Sequence, residues 1–167
     1  ALDSVLVQET DFPFEIVIGE DGSTDGTREI VLEYQQKRPD KIRALLSTNN
    51  LGRHTGNGRL NFLRTLHGCR GEYVALLEGD DYWTDPLKLQ KQVNLMEANP
   101  DCTVCFHKAD KKEGVKHEIV PESRDTFGYT VHDLVERNFV PTASTMYRNS
   151  FEGNPPDWLL HCAYGDR

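Results

Sequence analysis

The sequence Phe14-Glu15-Ile16-Val17-Ile18-Gly19-Glu20-Asp21-Gly22-Ser23-Thr24-Asp25-Gly26-Thr27 joins an apolar run to an acidic, glycine-containing turn. A continuous apolar run of this length is typical of a strand that is covered on both faces, so Phe14–Ile18 is predicted to be a strand. Ser23 and Thr24 are candidate N-cap residues for the helix that follows, and Pro39 should stop that helix. The order strand, turn, helix indicates a βα unit.

A second acidic turn, Glu78-Gly79-Asp80-Asp81, follows another strand-like run, Glu72–Leu77. The helix-like periods are predicted at Ala1–Gln8, Asn61–His67, Asp85-Pro86 to Asn99-Pro100, and Thr130–Glu136. The further strand-like runs are predicted at Ile42–Leu46, Tyr73–Leu77, Cys102–Phe106, Val115–Val120 and Ala143–Tyr147. Strand and helix alternate three times, which predicts an α/β fold with a Rossmann-like, mostly parallel sheet flanked by helices.

Both acidic turns lie where a predicted strand ends. Ligands of open α/β sheets bind outside the carboxyl ends of the strands, so we expect the two turns to form one acidic cleft. Such a cleft would repel a phosphorylated substrate unless a divalent cation intervened. The pattern therefore predicts a metal-dependent enzyme that acts on a nucleotide-activated substrate.

Length, charge and hydropathy exclude several classes of protein. The 167 residues suffice for one domain, and a net charge of −8 argues against nonspecific binding to nucleic acid. No run approaches the roughly 18 apolar residues of a membrane span, so no membrane association is expected from this chain. The sequence has no Gly-x-Gly-x-x-Gly after its first strand, which excludes a Rossmann dehydrogenase.

The cysteine pattern leaves two interpretations. Cys102-Thr103-Val104-Cys105 has the spacing of half a zinc site, but the sequence contains no second pair. Alternation along the same segment favours a strand with a buried, free cysteine, which predicts a reducing, cytoplasmic setting.

Several blocks of the sequence together resemble a known family. They are Ala1–Gln8, Glu20–Thr27, Asn49–Gly52, Gly71–Trp83, Asp85–Leu89, Thr142–Asn149 and Gly165-Asp166. In this combination they resemble the family 2 glycosyltransferases, which have the GT-A (nucleotide-diphospho-sugar transferase) fold. That family normally opens with a strand and a polar turn ahead of the Ala-Leu-Asp-Ser helix, and this sequence starts inside that helix. We therefore expect an N-terminally truncated GT-A domain that also lacks the C-terminal part.

The resemblance implies an inverting transfer of a sugar from a nucleoside-diphosphate sugar to a saccharide or other alcohol acceptor. It further implies Mg²⁺ or Mn²⁺ as cofactor and a role in cell-surface polysaccharide biosynthesis in the cytoplasm. Residues 1–167 would be one catalytic domain, with 1–100 as the nucleotide-binding half and 101–167 as the acceptor-side half. A homo-oligomer remains open. The alternatives are a catalytically dead binding module and a nucleotidyltransferase, although the latter class has a Gly- and Arg-rich phosphate loop near its start followed by a lysine, which the sequence lacks.

The resemblance also implies a role for individual residues. Asp21 would bind the base or ribose of the nucleotide, Asp80 the metal, and Asp81 either the metal or a ribose hydroxyl. Arg59 would meet the diphosphate, together with Arg53 and His54, and Asp166 would be the general base. The simpler interpretations are a turn residue for Asp21, a solvated turn for Asp80 and Asp81, a solvated basic loop, and a terminal surface acid for Asp166. Aromatic stacking on a sugar and core packing are both open for Tyr82, Trp83 and Trp158, and His107 is expected in the core or beside the site.

Overall fold

The computed structural model describes residues 1–48, 50, 58–113, 116–120, 128–136 and 139–150. In chain order the elements are α1 (Leu2–Leu6), β1 (Ile16–Glu20), α2 (Thr27–Lys37), β2 (Ile42–Leu46), α3 (Arg59–Gly68), β3 (Tyr73–Ala75), α4 (Lys88–Ala98), β4 (Val104–Cys105), β5 (Ala109–Glu113), β6 (Lys116–Val120), α5 (Val131–Glu136), a 3₁₀ turn (Thr142–Ser144) and β7 (Met146–Arg148). The mixed α/β class predicted from the sequence is confirmed. Within the described part of the chain, no helix combines the length and the apolar character that a membrane crossing requires.

The chain divides into two compact units. The β1 unit contains Pro13–Glu72, and the β3 unit contains Ala1–Phe12 and Tyr73–Arg148. This division does not follow the predicted boundary between 1–100 and 101–167. The assignment of those halves to nucleotide and acceptor stays a prediction.

In the β1 unit, β1 and β2 form a parallel pair in which Ile16 lies opposite Ile42. Helix α2 packs on both strands and α3 packs on β1. The apolar side chains buried in this unit are Ile16, Val31, Ile42, Leu63 and Leu66. Gly19 lets α3 approach, since a Cβ at this position would lie 1.9 Å from Oγ1 of Thr65.

Pairing with β2 sets the bounds of β1. The N–H of Ile16 donates to the carbonyl of Lys41 (2.7 Å), and the N–H of Ser47 donates to the carbonyl of Glu20 (2.9 Å). The strand therefore runs two residues further along the chain than the predicted Phe14–Ile18. The predicted bounds of β2 and the end of α2 before Pro39 are confirmed.

The β3 unit contains a three-stranded sheet in the order β3–β7–β4, and both of its pairings are antiparallel. Strands β5 and β6 pair separately as an antiparallel hairpin. Among the described residues β1–β2 is thus the one parallel pair, which differs from the mostly parallel sheet predicted from the alternation of elements. The reason is that β7 lies between β3 and β4 and runs against both. The buried apolar side chains here are Val5, Val74, Leu89, Met96, Cys105 and Met146.

The start of α4 also differs from the prediction. Asp85 and Pro86 were expected to be the N-cap and the first helical residue, but α4 begins at Lys88. The carboxylate of Asp85 instead accepts the N–H of Leu87 (2.9 Å). This hydrogen bond forms a turn just before the helix.

Gln8 provides the remote cap that this helix uses. It is 6% exposed, its Oε1 accepts the N–H of Leu89 (3.1 Å), and its Nε2 donates to the carbonyl of Asp85 (2.8 Å). One amide thus satisfies both a helix N–H and the carbonyl of the preceding turn.

Gln8→Ala should therefore lower the free energy of unfolding by about 1–3 kcal/mol, because it leaves the buried N–H of Leu89 without a partner and removes one of the two donors to the carbonyl of Asp85. Chemical denaturation would measure the loss. Gln36→Ala, at an exposed position of α2, is the matched control and should change stability by less than about 0.5 kcal/mol. Equal losses in the two variants would contradict the capping role.

Candidate functional site

Glu20, the last residue of β1, is buried and fully engaged. Its Oε1 accepts the N–H of Ser23 (2.6 Å), and its Oε2 accepts Nε of Arg28 (2.6 Å), with which it also forms an ion pair. Burial acts to raise the pKa of Glu20, but the hydrogen bonds from Ser23, Arg28 and Gly22 outweigh it and hold the pKa below its ordinary value. The side chain is therefore a fixed anion beneath the turn that begins at Asp21.

Asp21 is half-buried and lies in the turn that Glu20 organises. Gly22 follows with φ 71°, a left-handed conformation that glycine adopts without steric penalty. Asp21 has a partner of its own within the molecule. The predicted contact with a nucleotide stays a prediction.

Helix α2 starts later than the sequence predicted, so Ser23 and Thr24 are not its N-cap residues. The N-cap is Gly26, with φ 90°, and the carboxylate of Asp25 accepts the N–H of Thr27 (3.1 Å). Hydrogen bonds from Thr27 hold the pKa of Asp25 below its ordinary value. The three residues that a cap at Ser23 would have placed in the helix instead extend the turn after β1.

Two arginines that the sequence analysis did not single out fix the carbonyl ends of β1 and β2. Nη2 of Arg64 donates to the carbonyls of Glu20 (3.0 Å) and Leu45 (2.8 Å), and Arg28 donates to the carbonyl of Ser47. The only sequence signal for these arginines is Glu20, an acidic residue at the end of an apolar run. Such a residue requires a cationic partner when it is buried. Arg59 is the first residue of α3, whereas Arg53 and His54 lie outside the described residues.

The second acidic turn, Glu78–Asp81, belongs to the β3 unit and is tied down on both sides. Before it, the N–H of Leu76 donates to the carbonyl of Thr145 (3.1 Å). After it, the indole N–H of Trp83 donates to the carbonyl of Ala143 (2.7 Å), and the backbone N–H of Trp83 donates to Oγ of Ser4 (3.1 Å). The 3₁₀ turn and its next residue therefore hold both ends of the acidic turn.

The two aspartates of this turn differ in exposure. Asp80 is exposed and Asp81 is partly exposed, while the N–H of Asp81 closes the turn on the carbonyl of Glu78 (3.2 Å). Over the described ranges, no three acidic, histidine or cysteine side chains converge as a metal-holding group. The binding of a metal by Asp80 and Asp81 stays a prediction.

The residues just after the acidic turn have opposite environments. Tyr82 is 57% exposed, whereas Trp83 is half-buried, with Nζ of Lys88 3.8 Å from the centre of its ring. Lys88 is 4% exposed, and burial lowers its pKa from 10.5 to about 7. Its Nζ has no hydrogen-bond partner among the described residues. His107 is exposed as a residue and its pKa is lowered by burial of the ring and by Lys88.

Among the residues that the structure describes, Cys102 and Cys105 belong to no group of metal-ligating side chains. Sγ of Cys102 donates to the carbonyl of Val104 (3.1 Å), and Sγ of Cys105 accepts Nε2 of Gln92 (3.4 Å). Cys105 is buried in β4, which confirms the strand interpretation of this segment.

The predicted site residues thus fall into three groups. Asp21 and Arg59 lie in the β1 unit, and Asp80 and Asp81 lie in the β3 unit. Asp166 lies outside the described residues, as does Trp158.

Comparison with known proteins gives the family. The family model for glycosyl transferase family 2 matches residues 1–153. An uncharacterized protein of Mycobacterium tuberculosis is 42% identical over 170 residues, which cover 96% of this chain and 48% of that protein. An uncharacterized glycosyltransferase of Nostoc is 37% identical over 107 residues (64% of this chain, 31% of that protein), and a Bacillus subtilis protein named for teichuronic acid biosynthesis is 35% identical over 83 residues (50% and 30%).

The chain spans about half the length of the Mycobacterium relative. The match of the family model nevertheless extends through β1, both acidic turns and the whole β3–β7–β4 sheet. The chain therefore belongs to glycosyl transferase family 2 and has the GT-A fold of that family.

Proposed function

We propose that the protein containing this chain transfers a sugar from a nucleoside-diphosphate sugar to a saccharide or other alcohol acceptor, with inversion at the anomeric carbon. The single observation that supports this most is the acidic turn Glu78–Asp81. It is fixed at both ends, and it carries the exposed Asp80 next to the half-buried Asp81. A turn with only a structural role gains nothing from gathering three acids within four residues, since their charges repel one another.

The donor atoms at this turn fit a divalent cation that is shared with a substrate. Mg²⁺ prefers oxygen ligands and is usually held by one or two carboxylates plus substrate phosphates, rather than by an all-protein cage. Asp80 and Asp81 would supply such a pair, with substrate phosphates as further ligands. Mg²⁺ or Mn²⁺ bound here would neutralise the departing diphosphate.

The remaining roles follow from the chemistry of each side chain. We assign Asp21 to the base or ribose of the donor and Arg59 to its diphosphate. Asp166 would accept the proton of the attacking acceptor hydroxyl, since an inverting transfer needs a carboxylate on the acceptor's side.

Two further observations support the setting of this reaction. Cys69, Cys102 and Cys105 are free thiols, which agrees with a reducing, cytoplasmic compartment. The name of the Bacillus subtilis relative supports a role in cell-surface polysaccharide synthesis.

Asp80→Asn should weaken the metal-dependent binding of the nucleotide. In the unaltered protein, Mn²⁺ and UDP or GDP together should raise the melting temperature, because ligands that bind the native state stabilise it by mass action. In Asp80→Asn the affinity for the metal–nucleotide pair should fall by about tenfold or more, since a charged oxygen ligand is lost.

Asp101→Asn is the matched control, because Asp101 is also exposed but lies in the turn after α4. It should behave like the unaltered protein. A shift of unchanged size in Asp80→Asn would refute the metal assignment. Binding without any turnover of donor by the full-length protein would instead favour a dead binding module.

A further inference from the structure

The β5–β6 hairpin has one face that carries a mixed set of large side chains. Asp110 and Lys112 of β5 lie on this face, and the register places Asp110 opposite Ile119 and Lys112 opposite His117. Lys111 and its partner Glu118 point to the other face, because successive side chains of a strand alternate. We call the first set the hairpin face: Asp110, Lys112, His117 and Ile119.

The polar groups of the hairpin face contact one another. Oδ2 of Asp110 lies 3.3 Å from Nδ1 of His117 and 4.0 Å from Nζ of Lys112. The carboxylate therefore lies between an ammonium group and an imidazole. The charges within this face largely balance.

The hairpin face continues to the acidic turn through Tyr82. Nζ of Lys112 lies 3.5 Å from the phenol oxygen of Tyr82, and Tyr82 directly follows Asp81 in the chain. One surface thus extends from the candidate metal ligands, across an aromatic ring, to the hairpin.

The members of this surface are open to solvent although two of them are largely apolar. Tyr82 is 57% exposed and Ile119 is 60% exposed, and about half of the side chains of Asp110, Lys112 and His117 is exposed. An exposed aromatic ring beside exposed hydrogen-bonding groups is a typical composition of surfaces that bind ligands.

We propose that Tyr82 and the hairpin face bind the acceptor of the transfer, and that this acceptor is an uncharged saccharide. This inference rests on the proposed function and names a substrate class and a subsite for it. A pyranose has apolar C–H faces that can pack on the ring of Tyr82, and hydroxyl groups that can donate to Asp110 and accept from Lys112 or His117. The position next to Asp81 brings such a ligand beside the donor that the acidic turn would hold.

An uncharged ligand fits better than an anionic one. The ammonium group of Lys112 already faces Asp110 and Tyr82, so an incoming anion would meet the carboxylate of Asp110 as well. Each polar group of this face acts as a hydrogen-bond donor or as an acceptor. A sugar hydroxyl can pair with either kind, because it both donates and accepts.

The test is an NMR titration of the whole chain with methyl glycosides, following the ring signals of Tyr82 and His117. The probes are the methyl glycosides of glucose, galactose, N-acetylglucosamine and rhamnose, with methyl glucuronide as the anionic arm. At least one neutral glycoside should perturb both rings. Its affinity should fall about five- to tenfold in Tyr82→Ala, where the stacking surface is lost.

Lys111→Ala is the matched control, because it removes a lysine from the other face of the same strand. It should leave the affinity unchanged, while Lys112→Ala should lower it. The proposal is overturned if no neutral glycoside perturbs the two rings, if glucuronide binds more tightly than every neutral probe, or if Lys111→Ala weakens binding as much as Lys112→Ala.

The titration separates this inference from the proposed function, since it contains neither metal nor nucleotide. Glycoside binding in a protein that fails to bind a metal–nucleotide pair would leave the saccharide subsite standing and remove the transfer reaction. Metal–nucleotide binding without glycoside binding would leave the transfer reaction standing and remove the saccharide subsite.

Discussion

Arg28→Met should lower the free energy of unfolding by about 3–5 kcal/mol, which is the usual range when one partner of a buried ion pair is removed. The side chain of Glu20 is only 1% exposed, and Arg28 is the cation that faces it. The backbone N–H of Ser23 still reaches the carboxylate, but it does not neutralise the charge. Methionine retains most of the apolar stem of arginine, so the loss reports the missing charge and the missing hydrogen bond to Ser47 rather than a cavity. Denaturant unfolding at pH 7 would measure it.

Arg38→Met is the matched control, because Arg38 pairs with Asp40 at the surface. Exposed pairs contribute about 0–1 kcal/mol, so this variant should be nearly neutral. A double variant that also carries Glu20→Gln should recover part of the loss, since no charge is then left unpaired. Similar stabilities for Arg28→Met and Arg38→Met would show that the Glu20 pair is not a significant part of the fold.

The pH dependence of this pair has a defined sign. The pKa of Glu20 is lowered in the native state, so the unfolded chain takes up its proton first as the pH falls. The contribution of the pair is therefore complete near neutral pH and is lost progressively below about pH 4. Arg28→Met should show a shallower loss of stability over that range.

Lys88→Met should stabilise the protein, in contrast to most changes at buried positions. The ammonium group of Lys88 is buried without a hydrogen-bond partner among the described residues, and its pKa falls from 10.5 to about 7. At about 1.4 kcal/mol per pKa unit the charged form is disfavoured by several kcal/mol. The gain expected at pH 7 is about 2–4 kcal/mol, since the face of Trp83 offsets part of that cost through a cation–π contact.

The gain in stability from Lys88→Met should decrease as the pH rises. Between pH 7 and pH 10.5 the unfolded chain binds a proton that the native state does not, so the stability of the unaltered protein rises with pH. The advantage of Lys88→Met is therefore largest at or below pH 7 and shrinks toward pH 10. Melting curves at pH 7 and pH 9.5 would measure the difference.

Lys91→Met, on the same helix, is the control for this prediction. Lys91 is exposed and pairs with Asp85, so its removal should cost at most about 1 kcal/mol and should show no comparable pH dependence. A destabilised Lys88→Met variant would mean that the ammonium group has a partner in solution that offsets its burial.

The sequence was sufficient where local pattern and chain geometry agree. The bounds of β2 follow from a five-residue apolar run, and the end of α2 follows from Pro39, which cannot continue a helix. The caps were wrong at both acidic turns for one reason. Ser23 and Asp85 are good capping residues, but other side chains take over near each helix start. Glu20, three residues before Ser23, accepts the N–H of Ser23, and Gln8, 81 residues before Leu89, caps the N–H of Leu89.

The candidate site shows the same limit. The position of the acidic turn was readable, because three acids directly follow an apolar run. Its anchors were not, since Ser4 and Ala143 lie 79 and 60 residues away from Trp83 in the chain. The environment of Lys88 could not be predicted from the sequence either. The helical period indicates that one face of the helix is buried, but not whether a buried lysine has a hydrogen-bond partner.

The anchoring of the acidic turn bears on how such a protein can diversify. Ala143 and Thr145 secure the two sides of the turn. The part of the chain from α4 through the hairpin therefore starts and ends beside this anchored turn. Lengthening a loop adds little to the entropic cost of closing it. Insertions and deletions in the hairpin should therefore be tolerated without moving Asp80 or Asp81. With the proposed roles of the hairpin and of Asp80, acceptor preference could then change during evolution while the metal ligand stays in place.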